Sequence, residues 1–166
     1  MSPFRTVSVG SLPDPFTLIH HRQLLITVAN GTAANAMTAS WGGLGVLWNK
    51  PVSAVFVRPQ RHTYTLLEQA EAYSLAVLPS DNRAPLTYCG THSGRDGDKL
   101  SAAALSVFYH EGTPCIEQAE FVIVCRKLHA VSFAPDKFTE RSLLSYYTAN
   151  DFHRQYIGEI TAVLTK

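Results

Sequence analysis

The stretch Asn35–Lys50, N-A-M-T-A-S-W-G-G-L-G-V-L-W-N-K, is where the character of the chain is written most plainly. It opens on small and polar residues (Asn35, Thr38, Ala39, Ser40), side chains that let backbone come close to a ligand. The indole of Trp41 follows, then three glycines in four residues, Gly42, Gly43 and Gly45. Glycine permits positive φ and close backbone approach, at roughly 0.5–1 kcal/mol of lost stability in a regular element. Trp41 and Trp48, the two tryptophans of the chain, flank the patch. The pattern fits a site for something flat, and equally a glycine-rich loop between core strands with tryptophans as packing.

The flanking segments narrow the choice. Leu24–Val28, L-L-I-T-V, is a compact run that predicts a buried strand. Asn30-Gly31 follows at once, and Asn-Gly is the strongest two-residue hairpin signal because both positions tolerate positive φ. The partner strand is expected through Ala34–Ser40, which sets Thr38, Ala39 and Ser40 at the far end of a hairpin arm. Upstream, Pro3, Pro13 and Pro15 punctuate an irregular lead-in with one short strand near Thr6–Val9.

Downstream, Val52–Val57 predicts another strand, ended by Arg58-Pro59 because proline cannot continue a central ladder. Thr65-Leu66-Leu67-Glu68 matches a capping box, so a helix is expected to begin near Thr65, or at a Thr63 cap. Arg58, Arg61 and His62 then sit just before a helix N-terminus. Unpaired N–H groups and the positive end of the helix dipole favour an anion there. Guanidinium groups hold phosphate oxygens bidentately, so the combination is a candidate phosphate cradle, the alternative being solvated loop arginines.

Tyr73–Leu78 predicts a strand, and Ser80-Asp81-Asn82 a cap for a short helix through Thr87. Cys89-G-T-H-S-G-R-D-G-D-K-Leu100 follows as a loop held by Gly90, Gly94 and Gly97, with Thr91, Ser93, Arg95 and Lys99 as donors. Such a loop either wraps the polar edge of a cofactor or is an ordinary surface turn. Asp98 is placed to cap a helix over Lys99–Leu105. Cys89 fits a small packed residue better than a redox thiol. Phe121–Cys125 reads as a strand buried on both faces, paired with a second strand over Lys127–Phe133. Ala134–Asn150 reads as irregular, with Tyr146-Tyr147 suited to an interface or ligand rim, and Gln155–Leu164 as a closing strand.

Length and composition bound the function. With 166 residues, the chain fits one domain, 1–166, with a full core. Apolar content is 46%, charged content 16% and net charge +1. So few charges point to surface hidden in an oligomer or a cofactor pocket. The neutral balance argues against nucleic acid, which wants a basic face. No apolar run approaches the roughly 20 residues of a membrane span, and no signal peptide is expected. Cys89, Cys115 and Cys125 form no C-x-x-C pair, so reduced cytoplasmic thiols are expected. The seven histidines lack H-x-x-x-H or H-E-x-x-H spacing, and no metal is expected. About seven short strands with few helices predict a small closed β-barrel. No G-x-G-x-x-G or G-x-S-x-G motif occurs.

Taken together, the chain resembles the flavin reductase-like family of FMN-binding split barrels, and within it the flavoredoxin-type branch. The resemblance runs through Asn35-A-M-T-A-S-Trp41, Arg58-P-x-R-x-T-Tyr64 and Cys89-G-x-x-S-G-R-D-x-D-Lys99. It closes on His153-x-x-x-Ile157-G-E-Ile160 and covers roughly residues 20–166. It implies a mainly β fold, a split β-barrel of Greek-key type with a few short helices, forming a homodimer. It also implies that Thr38, Ala39 and Ser40 meet the isoalloxazine ring of FMN, with Trp41 nearby. Arg58, Arg61 and Thr63 would hold the FMN phosphate, and Ser93, Arg95 and Lys99 the phosphate or ribityl edge. Asn35, Met37, Pro59, Cys89 and Gly94 fall in the same motifs and are assigned to the same site. His153 would lie on the reductant side, as the catalytic candidate. The activity implied is an oxidoreductase that moves electrons from NAD(P)H onto flavin and on to free flavin, ferric chelate or a partner protein. The alternative is a flavoredoxin-type FMN carrier reduced only by a partner.

Overall fold

A computed structural model describes residues 3–31 and 33–166. In chain order the strands are β1 (Arg5–Val7), β2 (Leu24–Asn30), β3 (Ala33–Ala39), β4 (Gly42–Leu47), β5 (Lys50–Val57) and β6 (Ala72–Val77). After them come β7 (Val107–His110), β8 (Thr113–Ile116), β9 (Phe121–Ser132) and β10 (Arg154–Thr165). Three short helices interrupt them: α1 (His62–Gln69), α2 (Ala84–Thr91) and α3 (Lys99–Ala102). The main sheet is antiparallel throughout, in the order β3-β2-β6-β9-β10-β5-β4, with β1 pairing β10. β7 and β8 form a separate hairpin.

The two ends of that order are consecutive in the chain. Only Ser40 and Trp41 separate β3 from β4. Three Cα steps span at most about 11 Å, so the sheet must roll until its edges meet there. The barrel is therefore split along a β3/β4 seam, where the two strands do not pair, rather than closed as the strand count suggested. This roll places the Ala39–Gly42 link, and the site, at the seam.

Rolling divides the apolar side chains between two cores. Ile26, Val28, Val57, Tyr73, Leu75 and Ile123 pack in one cluster. Leu25, Ala36, Ala76, Val122 and Val124 pack in the other, with Leu86, Cys89, Leu100 and Ile116 from α2, α3 and β8. β2, β6 and β9 thus bury alternate residues on opposite faces, which is why their sequences are apolar without alternation. Each buried Val, Leu or Ile among them contributes roughly 1.5–3 kcal/mol. A polar knot lies inside: Ser53 Oγ meets Tyr73 OH at 2.8 Å and Cys125 Sγ at 3.2 Å. Gly158 is required below it, because a Cβ there would stand 2.5 Å from Tyr73 OH.

Several sequence expectations change. Gly42–Leu47 is a strand, not a loop, and at Gly42 a Cβ would sit 2.8 Å from the Ala54 carbonyl oxygen of β5. Phe121–Ser132 is one strand, since β10 follows it along its length with two register shifts that absorb the barrel's bend. The Asn30 register partner is Ala33, and Gly31 leaves the strand with φ 66; Thr32 lies outside the described residues. The β7–β8 hairpin, turning on Glu111 and Gly112 with φ 48 and 80, had no strong signal in sequence. Ten strands, not seven, run through the described residues.

The helix starts also shift. α1 starts at His62 with Arg61 as its N-cap and no side-chain cap, and Glu68, in its last turn, bonds Arg154 and Tyr156 instead. α2 starts at Ala84, after Arg83, and extends to Thr91, so Cys89 is helical. α3 spans four residues, capped by Asp98 as expected. No helix among the described residues is long and apolar enough to cross a membrane, which says nothing of strands.

Candidate functional site

β5 ends at Val57, and the turn Arg58–Arg61 is closed by Arg61 N–H to the Arg58 carbonyl at 3.0 Å. It delivers α1 with its N-terminus facing the 92–98 loop. The first N–H groups of a helix have no helical acceptor. Here they open on a pocket of about 180 Å³ lined by Asn35, Arg61, Thr63, Ser93, Gly94 and Lys99, among others. No carboxylate lines it. Lys99 is 6% exposed and has no hydrogen-bond or ion-pair partner among the described residues. Burial pulls its ammonium down to about 8. Burial also lowers the Arg61 guanidinium, whose NH1 and NH2 donate to the carbonyls of Gly90 and Cys89 at 3.2 Å. His62 is lowered by burial and by the charges of Arg95 and Lys99. Buried cations without counter-ions are costly unless an anion completes them.

Asn35, 5% exposed, is the second unfinished group. Its Nδ2 donates to Thr63 Oγ1 at 2.8 Å, while its Oδ1 is buried without a partner. Whichever way the amide is turned, one of its polar atoms lacks a mate. Gly94 packs directly on it: a Cβ there would overlap Asn35 Oδ1 and come within 2.9 Å of the His62 ring. The loop glycine is what lets the 92–98 backbone close over the pocket.

A second cleft of about 170 Å³ adjoins it across Arg61. Met37, Thr38, Ala39, Ser40 and Trp41 form one side, at the seam; Phe56, Arg58 and His153 form the other. β3 pairs only with β2, so its outer edge offers backbone N–H and C=O groups to this cleft. Trp41 stands between Tyr146, edge-on at 5.6 Å, and His153 at 5.4 Å. A flat slot with polar backbone along one edge suits a planar heteroaromatic ring.

Of the expected residues, Asn35, Arg61, Thr63, Ser93, Gly94 and Lys99 converge on the first pocket. Met37, Thr38, Ala39, Ser40, Trp41 and His153 converge on the second. Five stand differently. Arg58 lines only the second cleft, and its guanidinium is engaged by Asp151 at 2.5 Å and by the Tyr146 carbonyl at 2.9 Å. The Thr38 hydroxyl is turned to the Leu86 carbonyl at 2.6 Å, leaving its backbone for a ligand. Arg95 reaches the Gln60 carbonyl at 2.9 Å and acts on the pocket as a nearby charge. Cys89 is fully buried in α2; burial raises its thiol, and its carbonyl, not its sulfur, serves the site through Arg61. Pro59 lines neither pocket and serves as the end of the β5 ladder. Sequence reasoning missed Asp151, Phe56 and Gln60. Asp151, two residues before His153, was the one with a signal, as an acid spaced to meet a conspicuous arginine. Among the described residues no three His, Cys, Asp or Glu side chains gather as a metal site.

The chain thus combines a split barrel with a cation-lined pocket at a helix N-terminus and a flat slot at its seam. The chain belongs to the flavin reductase like domain family, whose model matches residues 17–166. It is similar in structure to an FMN-binding domain of a flavin reductases-like enzyme from Shewanella baltica (TM-score 0.72, 17% identity). That match covers 99% of this chain and 78% of the other. It is also similar to flavoredoxin from Methanosarcina acetivorans, at TM-score 0.70 and 22% identity over 87% of this chain and 68% of the other. The NADH:FAD oxidoreductase of Streptomyces globisporus matches at TM-score 0.64 and 17% identity over 87% and 79%. At these identities the likeness shows the fold. No curated protein sequence gives a significant match.

Proposed function

We propose that this chain binds FMN and acts as a flavin reductase-type oxidoreductase. Electrons would be taken from NAD(P)H and passed to free flavin, ferric chelate or a partner protein. The observation that carries this reading is the pair of buried Lys99 and half-buried Arg61 beside a helix start with no carboxylate, one step from a flat slot. The residues present fit the cofactor. The orphaned amide atom of Asn35 suits a ribityl hydroxyl, Gly94 leaves room for a phosphate, and the β3 edge suits a pyrimidine rim.

Bound FMN supplies reversible hydride and electron transfer. Arg61, Lys99, Ser93 and the α1 N-terminus would hold its phosphate, with Thr63 acting through Asn35. Arg58, tied to Asp151, is reassigned to the slot, where its charge favours an anionic ring. Ala39, Ser40 and Trp41 would orient the ring, and Phe56 and His153 would exclude water from the opposite wall.

The rim favours a second reading. Trp41 and Tyr146 are 46% and 56% exposed, an aromatic edge open to a docked redox partner, as an FMN carrier would need. A second copy of the chain is proposed to cover the β4 edge, where Val46 and Trp48 stand 78% and 55% exposed. The cytoplasm is the compartment that suits the three unpaired cysteines.

The deciding measurement is the visible spectrum of purified protein saturated with FMN, followed by anaerobic NADH or NADPH. Rapid bleaching supports the reductase. A bound flavin that bleaches only with dithionite supports the carrier. Failure of FMN to bind at all refutes both.

A further inference from the structure

Tyr147 and His153 form a buried pair behind the slot. Tyr147 OH and His153 Nδ1 are 2.8 Å apart, and the two residues are 9% and 7% exposed. The pair is held on every side. Phe152 stacks on the Tyr147 ring at 4.7 Å, and the Arg58 guanidinium covers it at 5.1 Å. The His153 carbonyl accepts from Phe133 N–H at 2.9 Å, fixing the ring's origin at the end of the β9–β10 ladder. The charged groups facing the pair are Arg58 and Asp151, which are ion-paired to each other.

Which nitrogen of His153 carries the proton follows from the partner. Burial raises the Tyr147 phenol, so it keeps its proton. Its hydroxyl has no acceptor other than Nδ1 among the described residues. Burial, then Arg58, pushes the His153 ring down to about 4, against a smaller opposing effect of Asp151, so the ring is neutral near pH 7. A neutral imidazole that accepts at Nδ1 must carry its hydrogen on Nε2. His153 lines the slot, and its Nε2 is not among the buried unpaired atoms.

We propose that Tyr147 is a positioning residue that fixes His153 as the Nε2–H tautomer, so that the slot wall presents a single uncharged N–H donor matched to a carboxamide oxygen, such as that of a nicotinamide ring. This rests on the flavin reading for its substrate and on the geometry alone for its tautomer. His153 then orients a substrate and does not act as a base. An accepting nitrogen in its place would repel the same oxygen.

The test is histidine-selective 15N NMR of the full chain without flavin, with His153 assigned by its loss in His153→Gln. The expected spectrum has unprotonated Nδ1 and protonated Nε2 from pH 6 to 8, with Tyr147→Phe giving mixed tautomers. A proton on Nδ1 in the wild-type spectrum overturns the proposal, even if the variant does not fold. So does a Tyr147→Phe spectrum that keeps the wild-type tautomer. If NADH reduces the protein, Tyr147→Phe is expected to raise KM for NADH about three- to tenfold, with FMN affinity unchanged. If FMN never binds, the NMR result still stands or falls by itself.

Discussion

Replacing Lys99 by methionine separates charge from shape. Methionine keeps the length of the stem where it packs, 6% exposed, at the first residue of α3, and removes an ammonium with no partner among the described residues. An unfolded lysine titrates near 10.4, whereas burial brings Lys99 down to about 8. Between those values the unfolded chain binds more protons, so stability rises with pH across that window. Below it the buried charge costs in full. At about 1.4 kcal/mol per pH unit, that cost at pH 7 is on the order of 3 kcal/mol. Ligand-free Lys99→Met is therefore expected to melt a few degrees higher. FMN binding moves the opposite way. Losing one charge-assisted hydrogen bond, roughly 1.5–3 kcal/mol, weakens FMN about 10- to 150-fold. Riboflavin, which lacks the phosphate, is expected to change little. Flavin-fluorescence titrations with both ligands at pH 7, beside thermal melts of the ligand-free protein, read the two signs together. Equal weakening of FMN and riboflavin, or a lower melting temperature without ligand, would refute the reasoning.

Two further outcomes follow from the same geometry. Gly94→Ala forces a Cβ onto Asn35, which Thr63 holds in place, so FMN affinity is expected to drop at least tenfold and stability by about 1–3 kcal/mol. Gly43→Ala, whose Cβ meets open space, serves as the control, and equal losses in both variants would remove Gly94 from the site. In acid, His153 is depressed to about 4 by burial, so the unfolded state takes its proton first and stability falls from about pH 6.5 towards 4. Asp151, held low by donors from Arg58 and Gln60, adds stability above the ordinary carboxylate range that is lost as pH falls further. Urea midpoints against pH for wild type and His153→Gln check this; parallel curves between pH 6.5 and 4 would exclude His153.

Much of the site was legible before folding. Arginines before a helix start, a glycine-punctuated loop with Ser93 and Lys99, and the Asn35–Trp41 arm each carry local chemistry that a linear pattern records. β2 and the first half of β9, Phe121–Cys125, were equally plain, because residues buried on both faces are mostly apolar. The helix starts were less so: the Thr65–Glu68 box is formally complete, yet Glu68 finds Arg154 and Tyr156, partners 86 and 88 residues away. The helix begins at His62, so the box lies inside it and Glu68 is free to bond across the fold.

Other features exist only in three dimensions. That Gly42–Leu47 is an edge strand depends on β5 lying beside it. The split seam depends on two sequence neighbours standing at opposite ends of the sheet order. Arg58 and Arg61 look equivalent in the chain, but the turn between them sends one guanidinium to Asp151 and the other to the backbone of α2. The sequence determined which residue types meet an anion and a flat ring, because charge, hydroxyl and glycine are properties of single residues. Only the tertiary structure decided which of them stand unpaired, because whether a buried group lacks a partner depends on every element packed around it.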